Sequence, residues 1–234
     1  MVNQTRLTGQ VLVFDADDTL WENNVVFERV IEDFLDWVDH PVLDRAQIRA
    51  LLDEIEAANA VVHGYGSKVF LRSLGELLAR LRERPVTPAE RRRVEELAVA
   101  FTEHKVELMP GVASTLDQLG TRHELLLLTK GDDEEQARKV AASGLADRFL
   151  GVHIVPEKAA GTYRALLAEY GFAPGRSWMV GNSPKSDILP AREAGMSAVF
   201  IPNVNTWVLE QSELDPADER VLRLTAFPEL LRHF

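Results

Sequence analysis

Asp15, Asp17 and Asp18 crowd three carboxylates into four positions directly behind the apolar run Val11-Leu12-Val13-Phe14. Carboxylates that close raise one another's proton affinity unless a cation joins them. The cluster points to a divalent-metal site with one carboxylate placed as a nucleophile; an acidic strand-to-loop turn is the plainer alternative, since Asp is common in turns. Thr129 closes a second apolar run, Leu125-Leu126-Leu127-Leu128, and is followed by Lys130-Gly131-Asp132. A hydroxyl beside free backbone N–H groups at a helix start suits an anion. Asp187 ends the stretch Gly181-Asn182-Ser183-Pro184-Lys185-Ser186-Asp187, where Asn182 offers a neutral amide oxygen that a metal could also use.

These side chains need elements to bring them together. Short apolar runs such as Val11–Phe14 and Leu125–Leu128 read as strands buried on both faces, as in a parallel sheet. Val152-His153-Ile154-Val155, Trp178-Met179-Val180 and Ser197-Ala198-Val199-Phe200-Ile201 supply three more. Open α/β sheets bind their ligands at the carboxyl ends of such strands. Between Trp21 and about Met109 the periodicity turns helical, with stripes Phe27/Val30/Ile31/Phe34, Ile48/Leu51/Leu52/Ile55, Leu74/Leu77/Leu78/Leu81 and Val94/Leu97/Ala98/Phe101. Asp44 with Gln47 marks one helix start, and Thr87-Pro88-Ala89-Glu90 is a capping box with Pro at the first helical position. The expectation is an α/β fold: a Rossmann-like, three-layer core with a parallel sheet from residues 1–20 and 109–234, and a four-helix insert over 21–108. Asp132 with Glu135 predicts a helix that stops near Gly144, and Thr162 one that ends at Gly171. Asp187 opens another that ends at Gly195, and a short helix falls near Phe227–Arg232. The tail beyond Pro202 otherwise carries no chemical signal.

Asp15-Ala16-Asp17-Asp18-Thr19-Leu20 resembles the DxDxT signature of the haloacid dehalogenase-like superfamily, in its phosphatase branch. The strand ending in Thr129, Lys158 after the strand at 152–155, and the 181–187 stretch match the family's later motifs in order. Two departures stand out: Ala159 follows Lys158 where Pro is common, and Asn182 stands where Asp is frequent. The resemblance implies a Mg²⁺-dependent phosphatase acting on a small phosphorylated metabolite through an aspartyl phosphate. It makes Asp15 the nucleophile and Asp17 the general acid and base, while Thr129 and Lys158 hold the phosphoryl group. The implied Mg²⁺ ligands are Asp15, Asp17 through its carbonyl and Asp187, with Asn182 either a further ligand or an outer-shell residue; an all-oxygen set favours Mg²⁺ over zinc or copper. It also makes the insert a cap that closes over the site and selects the substrate. Tyr65 and Lys68, in the glycine-flanked break His63-Gly64-Tyr65-Gly66-Ser67-Lys68-Val69-Phe70, and Lys130 are candidate substrate contacts, against a plain inter-helix turn and a surface lysine. Rival readings are a 2-haloacid dehalogenase, a phosphomutase and a non-catalytic binding protein on the same fold.

Composition narrows the partners. At 234 residues, 46% hydrophobic and 27% charged, the chain suits a globular protein with ample core. Without cysteine it has no disulfide, cysteine zinc site or thiol nucleophile, which fits a cytoplasmic enzyme. A net charge of −11 argues against nucleic acid, and Arg91-Arg92-Arg93 is flanked by Glu90, Glu95 and Glu96. No run approaches membrane-spanning length, so no membrane partner is expected. A monomer or homodimer is expected.

Overall fold

A computed structural model describes residues 6–103 and 105–234. The first strand, β1, is Val11–Phe14. Five helices follow: α1 Asn24–Trp37, α2 Arg45–His63, α3 Ser67–Arg82, α4 Pro88–Leu97 and the short α5 Val99–Glu103. The chain then runs through α6 Val112–Leu119, β2 Glu124–Lys130, α7 Asp133–Ser143, β3 Gly151–Val155, α8 Ala160–Tyr170 and β4 Ser177–Gly181. It closes with α9 Leu189–Glu193, β5 Ser197–Phe200, β6 Val221–Arg223 and a 3₁₀ turn at Phe227–Arg232.

Among the described residues the strands form one parallel sheet in the order β3-β2-β1-β4-β5-β6. Strand side chains alternate between faces, so β1 feeds two cores. Leu12 and Phe14 pack with Leu116, Val140, Phe227 and Leu230 on one face. Val11 and Val13 pack with Tyr163, Leu166, Leu167 and Ala191 on the other. Helices therefore cover both faces, giving the three layers of a Rossmann-like fold. The order reverses beside β1, and such a switch point opens a crevice at the strands' carboxyl ends.

The chain divides into two compact units, one of the residues up to Asn23 with Val106–Phe234, the other Asn24–Lys105. The division falls a few residues inside the expected 20/21 and 108/109. Fully buried Trp21 bridges to Leu108, and the Met109 N–H donates to the Leu20 carbonyl at 2.9 Å, so both flanks stay with the sheet. The helical unit has its own core of Val30, Phe34, Leu52, Leu74, Leu77 and Leu78.

Local caps explain several helix ends. Asp44 and Thr87 each accept from the N–H three residues on, and Gln47 and Glu90 complete the two capping boxes. Asp132 caps α7, which ends at Gly144 in the left-handed region (φ 65°). Four details of the helices differ from the sequence reading. Lys68, Val69 and Phe70 are helical, because buried Phe70 extends the Leu74–Leu81 stripe by a turn and packs edge-on against Phe27. The fourth helix breaks at Ala98 into α4 and α5. Helix α8 starts at Ala160, with Thr162 inside its first turn. Asp187 lies within a π-helical turn, Pro184–Ile188, which precedes α9.

Candidate active site

β1 delivers Asp15 to the switch point, and the Asp15 N–H donates to the Val180 carbonyl of β4 at 2.9 Å. Lys158, just past β3, reaches back to both carboxylates: its Nζ lies 2.5 Å from Asp15 Oδ1 and 2.8 Å from Asp187 Oδ1. All three are buried, and the Lys158 and Asp187 side chains are each 1% exposed. Asp187 Oδ2 accepts the Ser183 N–H at 3.0 Å. Its carboxylate lies so close over Gly181 that a Cβ there would fall 2.2 Å from Oδ2, so only glycine leaves room. Thr19 Oγ1 shares its proton between Asp15 Oδ2 at 2.8 Å and Asn182 Oδ1 at 3.1 Å, while Asn182 Nδ2 donates to Thr206 Oγ1.

Two carboxylates face one ammonium, and the balance is visible in proton affinity. Burial and the neighbouring Asp15 charge push the Asp187 carboxyl up to about 7, against the pull of Lys158. Burial would lower the Lys158 pKa, yet Asp15 and Asp187 raise it above the ordinary lysine value. With both acids ionised, one negative charge is left without a counter-charge, beside oxygen donors from Asp15, Asp187 and Asn182. That donor set fits a hard divalent cation such as Mg²⁺, with backbone carbonyls completing it. No group of three or more His, Cys, Asp or Glu side chains able to hold a metal occurs among the described residues, so amide and carbonyl oxygens would be needed.

Asp17 belongs to a different network. Its Oδ1 accepts from Trp21 Nε1 at 2.7 Å, and its Oδ2 accepts from Gln136 Nε2 at 2.9 Å and Lys139 Nζ at 2.6 Å. Burial alone would raise its pKa, but Lys139 and these donors hold it below the usual carboxylate value. The backbone turns sharply just after Asp17, since Asp18 is left-handed (φ 61°) and donates its N–H to the Trp21 carbonyl. Buried Thr129 donates to Gln136 Oε1 at 3.1 Å, so one glutamine links it to Asp17. Lys130 Nζ goes to Ser186 Oγ at 2.8 Å and Glu210 Oε1 at 2.5 Å. Tyr65 and Lys68 lie in the helical unit, at the α2–α3 junction.

Several participants escaped the sequence reading. Gln136 and Lys139 sit three apart on α7, a spacing that marks one helix face and could have paired them. Thr19 was visible within the acidic motif. Glu210 had no local signal, because the 3₁₀ turn Val208–Glu210 that carries it lies in the tail set aside as silent.

The structure is a doubly wound α/β core with buried acids at its switch point. The chain belongs to the haloacid dehalogenase-like hydrolase family, whose model matches residues 10–195. It is 28% identical over 229 residues to a phosphoserine phosphatase from Thermus thermophilus, covering 82% of this chain and 88% of that protein. A haloacid dehalogenase-like family hydrolase from Xanthomonas campestris superposes with a TM-score of 0.79 at 26% identity, covering 96% of this chain and 95% of that one. An L-2-haloacid dehalogenase from Xanthobacter autotrophicus with chloropropionic acid covalently bound shares the fold, with a TM-score of 0.63 at 19% identity over 96% and 97% of the two chains. No helix among the described residues is long and apolar enough to cross a membrane.

Proposed function

We propose that this hydrolase is a Mg²⁺-dependent phosphatase that cleaves a small phosphate monoester through an aspartyl phosphate on Asp15. The observation that carries the reading is Lys158 bridging Asp15 and Asp187 in one buried cluster. The phosphoserine phosphatase relative supports phosphate-ester chemistry. Mg²⁺ held by Asp15, Asp187, the Asp17 carbonyl and Asn182 would screen the repulsion between carboxylate and phosphate.

In this mechanism an Asp15 oxygen attacks phosphorus, the ester P–O bond breaks, and Asp17 gives its proton to the departing alkoxide. Asp17 then takes a proton from water, water attacks phosphorus, and the bond to Asp15 breaks to release phosphate. Lys158 and the Thr129 hydroxyl hold phosphoryl oxygens, Thr129 exchanging its bond to Gln136 for one to substrate. Asp17 must leave Lys139 to act, and an anionic ester nearby favours its protonated form by like-charge repulsion. The helical unit is read as the substrate-selecting cap, with Tyr65 and Lys68 as its contacts, in a cytoplasmic monomer or homodimer.

Phosphate release from a panel of phosphoserine, sugar phosphates, nucleotides and phosphoglycolate, with and without Mg²⁺, tests the reading. Asp15→Asn should lose about 10⁴-fold in turnover or more, with the fold kept. Near-normal hydrolysis in that variant would remove the mechanism. Since Asp17 is tied to Lys139 instead of facing Asp15, a 2-haloacid dehalogenase is the second reading, and chloride release from 2-chloropropionate without metal would favour it.

A further inference from the structure

The turn that carries Asp187 is held from outside by a residue of the tail. Glu210 is 8% exposed, and its two carboxylate oxygens are both engaged. Oε1 accepts from Lys130 Nζ at the end of β2, and Oε2 accepts from Ser183 Oγ at 2.5 Å. Burial would raise the Glu210 pKa, yet Lys130 and the serines hold it below the usual carboxylate value, so it is a charged anchor. Ser183 in turn organises the π-helical turn Pro184–Ile188. Its Oγ accepts the Ser186 N–H at 2.9 Å, its carbonyl accepts the N–H groups of Asp187 and Ile188 at 2.9 and 3.1 Å, and its own N–H holds Asp187 Oδ2. Lys130 also reaches Ser186 Oγ, and the buried Tyr163 hydroxyl donates to the Ser186 carbonyl at 2.8 Å.

A single π turn is uncommon and weak on its own. This one stays in shape because a glutamate from the tail's 3₁₀ turn holds Ser183 and a lysine from the end of β2 holds Ser186, and orienting partners of this kind tune a site's charged groups. We infer that Glu210 is a positioning residue: through Ser183 it sets the Asp187 carboxylate against Lys158. Glu210 lies outside residues 10–195, the part matched by the family model. Its consequence for metal affinity rests on the reading of Asp187 as a Mg²⁺ ligand; its consequence for the turn does not.

The test is hydrogen exchange on the full-length, metal-free protein, followed by Mg²⁺ titration calorimetry. In Glu210→Ala the Asp187 and Ile188 amides should exchange about tenfold faster or more, while amides of α2 keep their protection. Mg²⁺ should bind about tenfold more weakly. Glu210→Gln keeps an oxygen for the Ser183 hydroxyl and should recover most of the protection. Should Glu210→Ala not fold, Ser183→Ala cuts the same link and must loosen the same two amides. Wild-type exchange at Asp187 and Ile188 in every folded variant overturns the inference. A wild-type protein that neither binds Mg²⁺ nor releases phosphate, yet loses protection in Glu210→Ala, retires the phosphatase reading and supports the positioning role.

Discussion

Charge pairs in the helical unit and at the sheet's carboxyl edge have similar lengths and opposite surroundings. Arg45 meets Glu32 and Asp36 at 2.5 Å each, with side chains 49–72% exposed. Lys158 meets Asp15 and Asp187 at 2.5 and 2.8 Å with almost no exposure. Exposed pairs contribute about 0–1 kcal/mol, since water screens them and ordering long side chains costs entropy. Burying charges costs several kcal/mol per ion, and well-packed apolar residues often stabilise as well or better. The helical unit's charges keep a surface soluble. Those at the sheet edge are dear to place there, and their presence argues for chemistry more than for folding.

Removing one cation from each region is the sharpest way to break that comparison. Lys158→Met leaves two buried carboxylates facing each other and should cost about 3 kcal/mol in urea unfolding, because an uncompensated buried charge remains. Arg45→Met should cost far less, because its pairs stand in water that already screens them. Equal losses in the two variants would erase the distinction drawn between the regions.

A smaller effect comes from pH. Unfolded, the Asp187 carboxyl titrates near 3.8; folded and without metal, it holds its proton up to about 7. The folded state therefore binds the extra proton between those values. Its contribution to stability is complete below about pH 4 and is lost as pH rises through about 7. Other carboxylates with lowered pKa values, such as Asp17 and Glu210, slope the other way, so the reading must be a difference. Melting temperatures in EDTA should show wild type falling relative to Asp187→Asn between pH 4 and 7. Parallel curves would mean that Asp187 is not the strained member of the cluster.

The same contrast explains what the sequence made legible. Val11–Phe14 and Leu125–Leu128 are buried on both faces, so their strands show as unbroken apolar runs, and Asp15 and Thr129 at their ends could be placed on one edge. Asp44 and Thr87 announce their helices through local capping contacts three residues long. Long-range polar contacts leave no such period. Nothing near Asp17 foretells Lys139, 122 positions away, and nothing near Glu210 foretells Lys130, 80 positions away. β6 was missed for a related reason: three residues at a sheet edge are too short to show alternation. Apolar periodicity thus placed the candidate residues on one sheet edge, while the partners that set their ionisation became visible only in the folded chain.

The smallest expected effect belongs to the helical unit. Arg84 forks onto Glu90 at 2.8 and 2.9 Å, and with the Thr87 N–H and hydroxyl it lowers the Glu90 pKa from 4.5 to about 2. A lowered carboxylate pKa gives stability that is present above about 4.5 and lost as pH falls through about 2. Arg84→Ala keeps the capping box and removes the Arg84 pair together with its bond to the Pro85 carbonyl, while Arg82 Nε stays 3.7 Å from Glu90 Oε1. Glu90 should then titrate at higher pH by NMR, still below 4.5 because Thr87 remains, with a melting temperature at pH 7 close to wild type. The acid limb should shift slightly upward in pH. A fall at neutral pH as large as that of Lys158→Met would show that exposed pairs in the helical unit carry structural weight, and the contrast between the two regions would fail.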